Sequence, residues 1–295
     1  MSGRTALFVG DASFDLTMTV SHVPEPDEKL HVRAAVESPG GVATNAAVAC
    51  ALAGTPARLI IAVGDDVVGR MLVDQVKATS VDLSWRARPG ATCRVVVLLE
   101  PHGEKRLLLH PGVSMFPRVD QLETASLDGI GWLHLAVYDV ASARHLVDRC
   151  RAQDIPWSLD LEPSTFPEGL SILRDVIAGA STLFCNARAV AQIGTDAITR
   201  LIGMGAASVV ETRGADGAIL HEGDIHSSVP APKVQAVDTT GAGDCLAGWF
   251  IAERLRGALP QDAAVSAVAA ATMSCTRLGG QVSYPTRANL ARVIK

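Results

Sequence analysis

The stretch Asp238-Thr239-Thr240-Gly241-Ala242-Gly243-Asp244, followed by the apolar run Cys245-Leu246-Ala247-Gly248-Trp249-Phe250-Ile251-Ala252, decides how the rest of the chain is read. Two glycines separated by one alanine allow backbone conformations closed to most residues, and the periodic apolar run behind them predicts a buried helix. A bare turn therefore opens straight onto a helix. N–H groups at such a start lack internal partners and carry the positive end of the helix dipole, so the turn is a candidate anion site, most obviously for phosphate. Asp244 in that place either caps the helix or takes a proton from an attacking hydroxyl. Two other phosphate-binding loops fail on residue identity. No Gly-Lys-Ser/Thr run occurs anywhere in the chain, and the dinucleotide fingerprint would need glycine where Leu246 stands.

At 295 residues, 48% hydrophobic and only 4% aromatic, the chain suits helices packed on a parallel sheet, as one main domain with an appendage. A net charge of −5 offers no basic field to follow a nucleic-acid backbone. The apolar stretch near the start is too short for a signal peptide and none is long enough to span a membrane, so a soluble cytoplasmic protein is expected. Six cysteines without a Cys-x-x-Cys pair read as reduced core residues, and the eight histidines show no metal-ligand spacing, so no structural metal is expected.

Outward from the opening motif, Ala6–Gly10 reads as a buried strand with Asp11 and Asp15 just past its end, where parallel sheets bind ligands. Phe14–Val20 and Leu30–Val36 alternate as strands. Ser38-Pro39-Gly40-Gly41 then forms a second glycine-rich turn, feeding an alanine-rich helix that carries Asn45 and stops at Gly54. Further strands are expected at Leu59–Val63, Cys93–Glu100, Lys105–His110, Trp132–Val137, Pro156–Leu161 and Ser181–Cys185, with a turn at 101–104 between the second and third of these. Helices are expected over Gly69–Thr79, Ala141–Gln153 and near Ile172–Ala178, and Ser208–Ala218 reads as strand, turn and return strand. Two long helical patterns follow Asp244, and Pro285-Thr286-Arg287 opens a last helix.

Asp238-Thr-Thr-Gly-Ala-Gly-Asp244 resembles the C-terminal signature of the ribokinase (PfkB) family of carbohydrate kinases, and Gly40-Gly41-x-x-x-Asn45 resembles its N-terminal signature. The two agree in order at a separation of about two hundred residues, and the likeness runs from Gly10 to Pro285. It implies a ribokinase-like three-layer α/β/α sandwich with a mainly parallel central sheet, one domain over 1–295, and a small β-strand lid from insertions at about 12–38 and 91–112. It also implies ATP-dependent phosphorylation of a sugar hydroxyl with Mg²⁺. Asp244 would be the base, with Gly241, Ala242 and Gly243 as the anion hole; Asp15, Gly40, Gly41 and Asn45 would face the sugar. Asn186, Thr212, Gly214 and Gly217 would face the nucleotide. In potassium-activated members a C-terminal loop and the acid opening the main motif bind the cation; Asp238, Thr240 and Ser283 fit that pattern, which leaves K⁺ dependence open. A helix N-terminus would lower the pKa of Asp244 and make it a weak base.

Three departures bear on the acceptor. Val42 stands where ribokinase has lysine, the Leu133-His134-Leu135-Ala136 strand lacks its glutamate, and Asn186-Ala187-Arg188-Ala189 lacks the glutamate that organises magnesium. The first two count against ribose; the third, with Cys275-Thr-Arg-Leu-Gly-Gly280, leans towards a ketose or modified sugar, with a nucleoside kinase or sugar-phosphate kinase as alternatives, and Arg94 or Arg106 on the lid would meet an anionic acceptor. From a different class, a catalytically weak sugar sensor would share the fold. An exposed β lid would also allow a homodimer.

Overall fold

The computed structural model describes residues 4–101 and 104–292; the expectations placed on residues 1–3 and on the turn at 102–103 lie outside the described residues. In chain order the elements are β1 (Thr5–Val9), β2 (Ser13–Thr19), β3 (Ala34–Gly40), α1 (Val42–Leu52), β4 (Ala57–Gly64), α2 (Val67–Lys77), β5 (Asp82–Arg88), β6 (Cys93–Leu99) and β7 (Lys105–His110). Then come α3 (Val119–Leu122), β8 (Ile130–Ala136), α4 (Val140–Arg151), β9 (Trp157–Leu161), α5 (Arg174–Ile177), β10 (Thr182–Asn186), α6 (Ala187–Ile193) and α7 (Ala197–Gly203). The chain closes with β11 (Val209–Thr212), β12 (Ala218–Glu222), β13 (Ile225–Val229), α8 (Ala242–Leu255), α9 (Pro260–Ser274) and α10 (Arg287–Leu290).

Among the described residues nine strands form one sheet in the order β13-β12-β11-β10-β9-β8-β1-β4-β5. The run from β11 to β5 is parallel, while β12 and β13 add an antiparallel edge. Alternation along each strand sends successive side chains to opposite faces. Ala6 and Phe8 of β1 enter a core shared with α1, α8 and α9, whereas Leu7 and Val9 enter one shared with α4, α5, α6 and α7. The result is the expected α/β/α sandwich. The chain leaves β1 for β4 on one side and returns through β8 on the other, so a crevice opens past the carboxyl ends of β1 and β8.

A second sheet of four strands, β3-β2-β6-β7, stands over that crevice. Here the sequence reading needs correcting. The strand expected at Leu30–Val36 lies at Ala34–Gly40, pairing Gly40 with Ser13 and Ala34 with Thr19, so most of the supposed turn is strand. Pro39 is tolerated because β3 is an edge strand, where its missing N–H removes no ladder bond. The turn itself is made by Gly41 alone, at φ 102°. Strand β5 had no apolar signal because, as the other sheet's edge, it is mostly exposed and carries Arg86 and Arg88 paired to Asp120. Strand β13 and the short helices α6 and α7 likewise fall below any periodicity a short segment can show.

Candidate active site

The 238–244 motif folds as its composition demands. Gly241 holds φ 76° at the head of α8, and its carbonyl accepts the Tyr284 hydroxyl at 2.6 Å and the Cys245 N–H at 2.9 Å. Ala242 N–H leans on Thr239 O at 3.3 Å, and the N–H groups of Gly243 and Asp244 have no protein partner among the described residues. They face a cavity of about 1060 Å³ that Gly241, Ala242, Gly243 and Asp244 all line. Behind the motif, Gly248 packs α8 so tightly on α1 that an added Cβ would lie 2.2 Å from Ala46 O. This seam brings Asn45 to Asp244: Asn45 Nδ2 donates to Asp244 Oδ2 at 2.7 Å, while Asn45 Oδ1 accepts from Gln281 Nε2 at 2.8 Å.

Burial raises the Asp244 pKa well above the ordinary carboxylate range; the Asn45 hydrogen bond opposes the shift and the neighbouring acids Glu162 and Asp11 add to it. The helix start was expected to lower it. Desolvation outweighs the dipole because the carboxylate is buried beside other acids.

At one end of the cavity are Asp15, Gly41 and Asn45. Asp15 accepts from Ser13 Oγ at 2.5 Å, and burial holds its pKa at about 6. Gly40, outside the cavity's immediate lining, makes room for it: a Cβ there would fall 2.1 Å from Asp15 Oδ2. Asp11 caps α1 through Val42 N–H at 3.1 Å and Ala43 N–H at 3.2 Å, yet burial still pushes it to about 7. Val42 of α1 and Val95, Leu107 and Leu109 of the small sheet, with Met115, give this end an apolar wall. Arg94 and Arg106 are not part of it: Arg94 pairs with Asp66 at 3.8 Å, and Arg106 with Glu100 and Glu104.

At the other end are Asn186, Thr212, Gly214 and Gly217. Asn186 Oδ1 caps α6 through Ala189 N–H at 2.9 Å, so the residue stands in its expected place with one acceptor already engaged. Phe184, Leu246, Val268 and Ala271 make this end apolar as well.

Asp238 is buried outside the cavity, its oxygens accepting from Thr240 N–H at 2.9 Å and Gly279 N–H at 3.0 Å. Ser283 Oγ donates to Ser274 O nearby. Of this expected cation set only Thr240 lines the cavity, and its buried Oγ1 has no partner.

Among the cavity residues that the sequence reading missed are Asp160, Glu162, Tyr138, Lys105 and Arg188. Asp160 stands near the carboxyl end of β9 and Glu162 just past it, Tyr138 follows β8 and donates to Glu162 Oε2 at 3.3 Å, and Lys105 opens β7. The signal was present: Asp160 and Glu162 stand at and just past the carboxyl end of a parallel strand, much as Asp11 does, but their strand was read only as core. Burial raises the pKa of both, and at Asp160 the neighbouring Glu162 and Asp244 add to the shift. Cys275, expected in the core, lines the cavity and is partly exposed. His134, where the family glutamate was missed, belongs to the core: fully buried, hydrogen-bonded to Ser158 Oγ at 2.9 Å, its pKa driven down to about 3 by desolvation.

At the switch point, then, one crevice joins a glycine turn, a buried carboxylate and two ends that combine polar groups with apolar walls. Residues 4–287 match the pfkB family of carbohydrate kinases, and the chain belongs to that family, whose members phosphorylate a hydroxyl acceptor. The chain is 28% identical over 290 residues to an ATP-dependent ribose-1-phosphate kinase of Halopiger xanaduensis, covering 95% of this chain and 94% of that one. It is 27% identical to the aminoimidazole riboside kinase of Salmonella typhimurium, covering 94% and 91%. Its fold superposes on an E. coli protein described as a ribokinase II with ATP and Mg²⁺, at a TM-score of 0.83, 20% identity and coverage of 100% and 99%. No helix among the described residues is long and apolar enough to cross a membrane.

Proposed function

We propose that the protein transfers the γ-phosphoryl group of ATP to a hydroxyl of an uncharged sugar or ribosyl acceptor, with Asp244 as the base. The observation that carries this reading is the Asp244 carboxylate, held by Asn45 at the head of α8 between the two ends of one cavity. The acceptor hydroxyl donates to Asp244, and the N–H groups of Ala242, Gly243 and Asp244 receive the charge of the transferring phosphoryl. Burial strengthens Asp244 as a base, and phosphoryl transfer, with its loose transition state, asks mainly for alignment. Asp15 and Asn45 offer oxygens to sugar hydroxyls, and Thr212, Gly214 and Gly217 serve the nucleotide end.

No group of three or more acidic, histidine or cysteine ligands converges among the described residues. Mg²⁺ needs none, since one or two carboxylates with phosphates and waters complete its shell, and the hard oxygens of Asp160 and Glu162 suit it. Bound there, Mg²⁺ would neutralise phosphate charge. K⁺ at Asp238, Thr240 and Ser283 is supported by the unpartnered Thr240 hydroxyl. A melting temperature that rises with KCl no more than with NaCl would remove it.

The choice of acceptor narrows at the small sheet, which we take to be a lid. With Arg94 and Arg106 paired elsewhere, an uncharged ketose or modified sugar is the first reading. A riboside is the second, because Val95, Leu107, Leu109 and Met115 form a wall suited to a base. The opposite face of that sheet carries Leu16, Met18, Val96, Leu98 and the 62% exposed Leu108, which supports a homodimer through the lid; light scattering tests it. The deciding experiment is ADP release from Mg²⁺-ATP against ketoses, ribosides and sugar phosphates. Turnover lost in Asp244→Asn supports the kinase; silence across the panel with ligands still raising the melting temperature supports a sugar sensor.

A further inference from the structure

We propose that Lys105, carried by the small sheet, reaches into the cavity to bind the transferring phosphoryl group, supplying a cation to the reaction from the side opposite the α8 turn. This rests on the kinase reading above. Lys105 is the first residue of β7, opposite Leu99 of β6, and shares a sheet face with Leu107 and Leu109, which also line the cavity. Its neighbour Arg106 takes the other face and spends its charge on Glu100 and Glu104. Lys105 itself is half-buried, lines the cavity, and enters no ion pair among the described residues.

Its place in the sheet suggests the role. Lys105 lines the same cavity as Gly243 and Asp244, but from the small sheet that stands over the crevice, whereas the α8 turn lines it from the main sheet's side. A cation there can meet the charge that develops on a transferring phosphoryl group. Its charge also opposes the burial-raised pKa of Asp244. Carboxylates outnumber cations in the cavity: Asp11, Asp15, Asp160, Glu162 and Asp244 line it beside Lys105, Arg188 and Lys233. A polyphosphate entering such a field needs opposing charge, and a cation on the small sheet delivers it only when that sheet is down on the site.

The test compares wild type with Lys105→Met, Lys105→Arg and the double variant Lys105→Met/Glu162→Gln. For each, kcat, the acceptor KM, ADP affinity and the affinity for Mg²⁺-ADP with aluminium fluoride are measured, the last as a mimic of the transferring phosphoryl. Lys105→Met should lower kcat on the order of 10²-fold, the scale of losing one donor to developing charge. It should weaken the ADP–aluminium fluoride complex in parallel while ADP affinity and acceptor KM stay within about twofold. Lys105→Arg should recover part of both losses. Unchanged aluminium fluoride affinity, a loss confined to acceptor KM, or full recovery in the double variant would each overturn the assignment, the last by making Lys105 a mere neutraliser of Glu162. A wild type inert on every acceptor would instead refute the kinase reading.

Discussion

Asn45 Nδ2 and Asp244 Oδ2 meet at 2.7 Å although 199 residues separate them in the chain. The first turn of α1 is thereby tied to the first turn of α8 at the carboxylate proposed as the base. Gln281 holds the other side of the Asn45 amide, so that carboxylate is held by a relay of two side chains.

Because the Asn45 N–H stabilises the ionised carboxylate, Asn45→Ala should raise the Asp244 pKa further. In kcat against pH, the acidic limb should move to higher pH, and kcat at neutral pH should fall ~10-fold from a loosened base. Asp244→Asn should lose ~10²-fold or more and show no such limb. A limb unmoved by Asn45→Ala would assign it to another group.

Asp11 gives a stability test in the ligand-free protein. Its folded pKa of about 7 exceeds the ordinary value of 3.8, so the folded state keeps a proton that the unfolded chain releases. Its stabilising contribution is complete below the unfolded value and is lost as pH rises to about 7. Asp11→Asn still caps α1 and does not titrate. Its melting temperature relative to wild type should therefore climb between pH 4 and 7 and level off above, a difference that cancels the opposite effect of the buried neutral His134. A pH-independent difference would refute the shift.

Gly40→Ala should injure the acceptor end selectively. The new Cβ would lie 2.1 Å from Asp15 Oδ2 and must displace that carboxylate from Ser13. Acceptor KM should rise by ~10-fold or more while ATP KM holds, since a lost hydroxyl contact is uniform binding. Equal effects on both would mean that the small sheet has shifted as a whole.

Gly248→Ala probes the α1–α8 seam. With Ala46 O only 2.2 Å from the added carbon, the helices must part, at a cost of roughly 1–3 kcal/mol in urea unfolding. Parting them also pulls Asn45 from Asp244, so kcat should drop together with stability. Full stability would show that the helices accommodate a methyl group.

Local chemistry was legible in the chain itself. Gly241 and Gly41 adopt the positive φ their turns require, α8 and α1 begin behind them, and the candidates Asp15, Asn45, Asp244, Asn186, Thr212, Gly214 and Gly217 all line one cavity. These features depend on a few consecutive residues, because backbone sterics and helix ends act over one or two turns. The tertiary structure alone decided the rest: the direction of the Asp244 pKa, the entry of Asp160, Glu162 and Lys105 into the cavity, and the outward pairing of Arg94 and Arg106. Desolvation and Coulomb forces act through space between strand ends far apart in sequence, so no short motif carries them.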